Sequence, residues 1–480
     1  MSLSTSFDSF AVGNVAIFEH TFSQQDFAAF SRLSGDTNPL HHDERHALTT
    51  QFRRTIVPLH LVLAPLSRVA GMVFPGEPSL YLGHDVRAAQ PVHYGEALRY
   101  SARIEAVNIA NRVLTVRALA LRGTEIVLDA AMRVQATAEI WNSVSSVPIL
   151  RTHCPGRAVV TGASGAIGGA IALALASRGW ALLLQDRGDG PRRQSLRATL
   201  ARLNTDAEFV AADMTKKSDS AALAAAAIRS DDVEVLVHAA SPGLDAPLEQ
   251  LVAVNYSAFK ELTLAVLPNM LARQKGRVLL MGSVAMVRCL PGWEDYAAAK
   301  NMAGAFAVGV DTRFSSYGVR GLVMMPGYVA TPFSDGVRGN APALLPEEVA
   351  VTAVEMIEAP DASTVLIEHG RRTFGRLGFS SPHSTGTETS RASPPTIRPD
   401  ATAPTISLAD IVRRVLRLPQ SVELNGGGIG VTPGWDSLRQ IEIILAIEAD
   451  LRIQFTSAEL TELNGFDALL VACQRKAFKP

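Results

Sequence analysis

Tyr296 and Lys300 stand four residues apart, and Ser283 lies thirteen residues before the tyrosine. On a helix, positions i and i+4 share a face. The Lys300 ammonium is therefore expected beside the Tyr296 phenol, favouring its ionised form and bringing its pKa down toward working pH. Ser283 then holds a substrate oxygen that Tyr296 protonates. Upstream runs Thr161-Gly162-Ala163-Ser164-Gly165-Ala166-Ile167-Gly168, between a short apolar strand, Ala158-Val159-Val160, and an alanine-rich helix from Ala170 to Ser177. Backbone N–H groups at the start of such a helix face a pyrophosphate. Asp186 follows Gly168 by eighteen residues, at the end of the next apolar strand, Ala181 to Gln185. That is near the spacing at which a carboxylate meets an adenosine ribose. A dinucleotide turn followed by a serine, a phenol and an ammonium are the parts of a hydride-transfer site.

With Asp213 and Asn255 between them, these residues resemble the short-chain dehydrogenase/reductase family over residues 155–372. The resemblance implies a doubly wound Rossmann parallel sheet and a nicotinamide cofactor. It assigns Gly162, Ser164, Ile167 and Gly168 to the cofactor turn, Asp213 to an adenine contact, and Asn255 to a fourth catalytic role, the ordering of a proton-relay water. Pro326-Gly327 and Thr331 match the stretch that closes over the nicotinamide. Asp186 would accept bonds from a free ribose 2'-hydroxyl, which leans the expectation toward NADH. Its neighbour Arg187 could instead pair with the 2'-phosphate of NADPH, which carrier-linked ketoreductases of this family commonly use. Two departures fall near the cofactor: the middle glycine is displaced to Gly165, and the usual Asn-Asn-Ala-Gly reads His238-Ala239-Ala240-Ser241.

The elements before residue 147 follow another pattern. Ser23-Gln24-Gln25-Asp26 is a capping box ahead of Phe27, Phe30 and Leu33 on one helical face, ended by Gly35. From Leu98 to Ile140 the residues alternate in runs broken at Asn108 to Asn111 and Arg122 to Thr124, which reads as antiparallel strands. One helix with a long antiparallel sheet is compatible with an α+β hot-dog fold over residues 8–145. Within it, Ser34-Gly35-Asp36-Thr37-Asn38-Pro39-Leu40-His41, Ser79 to Arg87 and Pro91-Val92 look like the MaoC-like (R)-specific enoyl-thioester hydratases. The resemblance makes Asp36 and His41 the groups that handle water and the C2 proton, a carboxylate and an imidazole supplying base and acid near pH 7. The chain departs from that family at Ile56-Val57-Pro58-Leu59, where a His-Gly usually supplies the oxyanion-hole amide. Two readings stay open: an active hydratase or dehydratase, and a retained shell that dimerises or holds acyl chains. His42 and His46 are expected to face solvent.

Residues 379–405, rich in Ser, Thr, Pro and Gly, read as a flexible linker with too few apolar groups to fold. Beyond it, residues 406–478 carry an amphipathic helix (Leu408 to Leu416), a glycine-rich loop and Gly434-Trp435-Asp436-Ser437-Leu438. Leu438, Ile441, Leu445 and Ala449 then recur at helical spacing, and a final helix spans Gly465 to Cys473. The set resembles an all-α acyl carrier protein, in which Ser437 would bear 4'-phosphopantetheine. That implies a phosphopantetheinyl transferase as partner.

The chain of 480 residues is long enough for three domains, and its 47% apolar content supports real cores. A net charge of −1 argues against nucleic-acid or membrane-surface binding. Three dispersed cysteines form no metal spacing and fit a reducing compartment. With no apolar run of membrane-spanning length and no basic leader, a cytoplasmic location is expected. The resemblances together describe an α/β multidomain enzyme acting on acyl thioesters, in fatty-acid- or polyketide-like biosynthesis. It would reduce a 3-oxoacyl group on its own carrier, add or remove water at C2–C3, depend on a separate ketosynthase or acyltransferase, and self-associate as its relatives do. A dehydrogenase of coenzyme A thioesters and a carrier scaffold with inactive modules remain the alternatives.

Overall fold

The computed structural model describes residues 7–137, 147–150, 155–335, 337, 339–359, 364–368, 371–375, 408–416 and scattered positions between 418 and 477. The chain divides into two compact units, Met1–Ser381 and Pro382–Pro480. The linker at 379–405, Asp436 and Ser437 lie outside the described residues.

The N-terminal part runs β1 (Val15–Thr21), α1 (Gln24–Ser34), α2 (Glu44–Thr49), α3 (Leu59–Met72), β2 (Ser79–Ala88), β3 (Ala97–Asn108), β4 (Val113–Arg122), β5 (Glu125–Ala136) and the short β6 (Ile149–Leu150). Its strands form one antiparallel sheet in the order β2-β5-β4-β3-β1-β6. The capping box at Ser23 is present, its hydroxyl and the Asp26 carboxylate each accepting the other's backbone N–H, and Gly35 ends α1 in the left-handed region at φ 77°. The long helix α3 was not read from the sequence. Pro58 and Pro65 argue against a helix. However, Leu61, Val62, Leu66, Val69 and Ala70 recur on one face and are buried against the sheet. The phenol of Tyr100 in β3, 1% exposed, donates to the Val62 carbonyl at 2.7 Å and ties this helix to the sheet.

The second part runs β7 (Arg157–Thr161), α4 (Ala166–Ala176), β8 (Ala181–Asp186), α5 (Pro191–Arg202), β9 (Ala207–Ala211), α6 (Lys217–Ala227), β10 (Val233–His238) and α7 (Leu248–Val252). A π-helical turn (Ala253–Ala258) leads into α8 (Phe259–Arg273), and then come β11 (Gly276–Met281), α9 (Glu294–Phe314), β12 (Val319–Pro326), α10 (Pro332–Asp335), α11 (Pro346–Glu358), β13 (Thr364–Glu368) and β14 (Arg371–Gly375). The sheet order is β14-β13-β12-β11-β10-β7-β8-β9, parallel except for β14. Strand β10, Val233–His238, is buried at every residue, and its apolar Val233, Val235, Leu236 and Val237 face cores on both sides of the sheet. The order reverses between β7 and β10, so a crevice opens where their carboxyl ends part.

The two sheets belong to one unit with a shared interior. Leu119 and Leu121 of β4 pack into the same core as Met270, Leu271 and Phe314. Polar contacts flank that core: Arg99 donates to Asn269 Oδ1 at 2.7 Å, Ser101 Oγ to the Ala272 carbonyl at 2.5 Å, and Gln274 Nε2 to Ser101 Oγ at 3.1 Å. Arg117 lies over the Tyr317 ring, 4.9 Å from its centroid. In the C-terminal unit, α12 (Leu408–Leu416) and α13 (Phe466–Ala477) are helical. Leu408, Ile411, Val412, Leu416, Leu469 and Cys473 pack in one cluster with Trp435. No helix among the described residues is long and apolar enough to cross a membrane.

Candidate functional site

Two separate sites emerge, one at the carboxyl edge of the parallel sheet and one at the start of α3. In the first, Gly162 adopts φ +67°, and a Cβ on it would stand 2.8 Å from the Ala240 backbone. A Cβ on Gly168 would meet the Gly162 carbonyl at 2.3 Å, so each glycine is demanded by a close backbone approach. The turn is held by Gln185, which sequence reasoning missed: its Oε1 accepts from Gly162 N at 2.9 Å while its Nε2 donates to the Ala212 carbonyl at 2.7 Å. Helix α4 starts at Gly165 with no side-chain cap and no acidic residue in its first turn, leaving its N–H groups for an anion. Gly162, Ser164, Asp186, Arg187 and Asp213 line one cavity together with Arg192. Ile167, Gly168, Gly327 and Thr331 are not among its lining residues. Gly168 is buried behind the turn, and the Gly327 N–H donates to the Ile367 carbonyl at 2.8 Å. Asp213 is engaged locally, accepting from Thr215 N at 3.1 Å and Thr215 Oγ1 at 2.8 Å. The Thr215 hydrogen bonds hold its carboxyl below the usual carboxylate range.

Asp186 is less free than its spacing suggests. Its side chain is 0% exposed, and Oδ1 accepts both from Gly188 N at 3.0 Å and from Arg193 Nη1 at 3.0 Å. Arg193 projects from the first turn of α5, a pairing that no β-strand pattern announces. Asp186 Oδ2 is buried with no hydrogen-bond partner among the described residues. The residues therefore fit a dinucleotide: glycines that admit a close approach, a bare helix start, and an orphaned acceptor at the end of β8.

The reacting groups come from β11 and α9. Tyr296 and Lys300 share the buried face of α9, 5% and 2% exposed, with the Lys300 nitrogen 5.9 Å from the Tyr296 ring centroid. Ser283, which caps the 3-10 turn after β11, lies beside the phenol. Burial pushes the Tyr296 phenol up to about 12, and the Ser283 and Ser241 hydroxyls beside it pull the other way. This corrects the expectation that Lys300 lowers the phenol: the Lys300 ammonium donates to the Met281 carbonyl at 2.8 Å and burial brings its own pKa down to about 7. Asn255 is 0% exposed within the π-helical turn; its Nδ2 donates to the Leu251 carbonyl at 3.0 Å, and its Oδ1 is buried without a partner among the described residues. Ser241 Oγ is also buried without a hydrogen bond of good geometry among the described residues. Trp293, 6.2 Å from Tyr296 between ring centroids, and Phe333, at 6.0 Å, flank the phenol.

Because the Lys300 pKa of about 7 lies below its ordinary 10.5, the unfolded chain binds more protons than the folded one between those values. Stability from this residue therefore rises with pH through that window, by up to about 1.4 kcal/mol per unit. Lys300→Met is expected to flatten that rise, read as denaturant midpoints of the cofactor-free chain across the alkaline range. A slope equal to wild type would contradict this.

In the second site the loop after α1 is stitched by its own side chains. Asn38 N donates to Asp36 Oδ1 at 3.0 Å, Leu40 N to Asn38 Oδ1 at 3.1 Å, and Ser31 Oγ to the Asp36 carbonyl at 2.6 Å. This brings Asp36 and His41 together, Oδ2 to Nε2, at 3.8 Å. His41 Nδ1 lies 2.8 Å from the Ile56 carbonyl, which can only accept, so Nδ1 carries the proton and Nε2 is left as the base. A separation of 3.8 Å leaves a water or substrate proton room between carboxylate and imidazole. Leu59 opens α3 with Pro58 at the cap and no side-chain cap bond, so the Leu59 N–H faces out of a helix start near the dyad. Tyr94 was missed by sequence reasoning. Its hydroxyl is buried without a hydrogen-bond partner among the described residues, and burial, with the Asp36 charge, raises its pKa. His42 and His46 are exposed.

Known proteins resemble both parts. Residues 157–341 match the family described as short chain dehydrogenase, and residues 12–121 match the MaoC like domain. The (R)-specific enoyl-CoA hydratase of Aeromonas caviae is 36% identical over 99 residues, 21% of this chain and 74% of that protein. The short-chain reductase protein NovJ of Streptomyces niveus is 30% identical over 227 residues, 44% of this chain and 85% of that protein. The very-long-chain 3-oxoacyl-CoA reductase of Anas platyrhynchos is 29% identical over 189 residues, 37% of this chain, which spans 61% of that relative's length. The chain belongs to the short chain dehydrogenase family through its parallel-sheet part and to the MaoC-like family through its N-terminal hot-dog part.

Proposed function

We propose that this chain is a two-site enzyme of acyl thioesters, in which a reductase converts a 3-oxoacyl group to a 3-hydroxyacyl group and the hot-dog domain adds or removes water across C2 and C3. The observation that carries the reading is the coexistence, in one compact unit, of buried Tyr296, Lys300 and Asn255 with a half-buried Ser283, and of an Asp36–His41 pair. Gly162, Ser164 and the start of α4 would hold a nicotinamide dinucleotide, which would supply hydride for C3. Tyr296 gives its phenolic proton to the developing oxyanion, which Ser283 holds by a hydrogen bond. Lys300, on the same buried face of α9, would hold the ribose hydroxyls of the cofactor, and Asn255 Oδ1 accepts from the water that returns a proton along the relay. In the hot-dog domain, His41 Nε2 or Asp36 takes a proton of the attacking water and returns a proton to C2, and the Leu59 N–H answers the charge on the thioester oxygen.

The cofactor reading shifts on Asp186. With that carboxylate paired to Arg193, its repulsion of a 2'-phosphate is reduced, while Arg187 and Arg192 line the same cavity. This weighs toward NADPH against the lean to NADH. A charge-assisted bond contributes about 1.5–3 kcal/mol, so replacing Arg187 and Arg192 together by alanine should lower kcat/KM for NADPH by about 10-fold or more and leave NADH nearly unaffected. A wild type that prefers NADH tenfold would reverse this reading.

For the C-terminal unit, the packed cluster around Trp435 and the sequence Gly434-Trp435-Asp436-Ser437 support a carrier domain with phosphopantetheine on Ser437, loaded by a transferase and by a separate ketosynthase or acyltransferase. The names of two relatives, an enoyl-CoA hydratase and a 3-oxoacyl-CoA reductase, favour a second reading in which coenzyme A thioesters are substrates. Cofactor oxidation by the full chain with a 3-oxoacyl group on coenzyme A and on its own carrier tests both. Turnover of either supports reduction, turnover of coenzyme A thioesters alone supports the second reading, and turnover of neither overturns the proposal.

A further inference from the structure

His238 ends β10 at the position where the sequence departs from its family's asparagine, and the chemistry above does not use it. It is 0% exposed and lies between two fixed partners. Nε2 is 3.0 Å from the Val254 carbonyl, and Nδ1 is 3.0 Å from Thr161 Oγ1. The carbonyl can only accept, so Nε2 carries the proton and Nδ1 accepts from the Thr161 hydroxyl. That leaves Thr161 Oγ1 to accept from Ala240 N at 3.3 Å, and every group in the chain is satisfied by one neutral tautomer. Burial, with the nearby Lys300 charge, holds the imidazole at about 3, so this tautomer persists at any working pH.

The two ends of this bridge are functional addresses. Thr161 is the last residue of β7, immediately before Gly162 of the cofactor turn. Val254 lies in the π-helical turn, immediately before Asn255. A π-helical turn displaces the regular i to i−4 bonds and is costly unless its freed groups find partners. Here Asn255 Nδ2 takes the Leu251 carbonyl at 3.0 Å and His238 takes that of Val254.

We propose that His238 is a positioning residue for the reductase: by bridging Thr161 to Val254, it locks the π-helical turn that presents Asn255 and couples that turn to the cofactor loop. The inference rests on the reductase reading for its kinetic arm only. Glutamine places a donor nitrogen about where Nε2 sits, whereas asparagine reaches only the Nδ1 position. In the full chain, His238→Gln is expected to keep kcat within about threefold of wild type, while His238→Asn lowers kcat about tenfold or more with cofactor Kd and substrate KM little changed. Amide hydrogen exchange over residues 254–259 should rise about tenfold in His238→Asn and stay near wild type in His238→Gln, whether or not the chain turns over. Equal losses in both variants, tracking a common fall in Tm, would reduce His238 to a packing residue and overturn the inference. Unchanged kcat and exchange in His238→Asn would do the same. A wild type with no reductase turnover but the expected exchange pattern would instead fail the function and leave the bridge standing.

Discussion

Tyr296→Phe is expected to lower ketoreduction by about 10²- to 10⁴-fold while leaving cofactor binding within a few-fold of wild type. The range is that of a positioned general acid removed from its proton transfer. The phenol is 5% exposed, flanked by Trp293 and Phe333, and does not line the cavity of the glycine turn. Phenylalanine keeps the ring packing, so folding should survive and the loss should appear in kcat. The measurement is steady-state turnover with a 3-oxoacyl thioester beside a fluorescence titration of the reduced cofactor. Activity within a few-fold of wild type would remove Tyr296 from the chemistry.

His41→Ala and Asp36→Asn are expected to abolish enoyl hydration by a comparable factor and to spare ketoreduction. His41 is fixed by the Ile56 carbonyl and Asp36 by Asn38, so each is presented at 3.8 Å from the other by its own loop contacts. Neither is part of the parallel-sheet site, and the loss should be confined to one reaction. Hydration of a crotonyl thioester and dehydration of a 3-hydroxybutyryl one read it directly. A wild type inactive in both directions would make the domain a shell, and equal loss of ketoreduction in the variants would show that the sites are not independent.

Local spacing made much of the catalytic geometry legible. Tyr296 and Lys300 share a buried face because α9 has a helical period, and α1 begins and ends at its capping box and glycine as written. Alternation located β3, β4 and β5, with their turns between 108 and 125. What escaped depends on partners distant in the chain or on competing signals. Arg193 neutralises Asp186 across a strand-to-helix junction, and the Met281 carbonyl draws the Lys300 ammonium away from the phenol. The π-helical turn needs His238, and nothing in the local sequence near Asn255 names a residue seventeen positions earlier as its support. Helix α3 hid behind two prolines although its apolar period was there to count. The common interior of the two enzymatic parts also lay beyond reach, because Leu119 and Leu121 read as ordinary strand residues until Met270 and Phe314 are seen against them.

The claim that two sites in one unit serve one acyl skeleton is tested most directly by supplying the full chain with an enoyl thioester and the oxidised cofactor, and following cofactor reduction. Hydration at Asp36 and His41 creates the 3-hydroxyacyl group, whose oxidation at Tyr296 is ketoreduction in reverse. The account predicts that reduced cofactor forms with wild type, is lost in both His41→Ala and Tyr296→Phe, and returns when a (3R)-3-hydroxyacyl thioester is given to His41→Ala. No cofactor reduction from the enoyl thioester, by a wild type that oxidises either enantiomer of the 3-hydroxyacyl thioester, would contradict it.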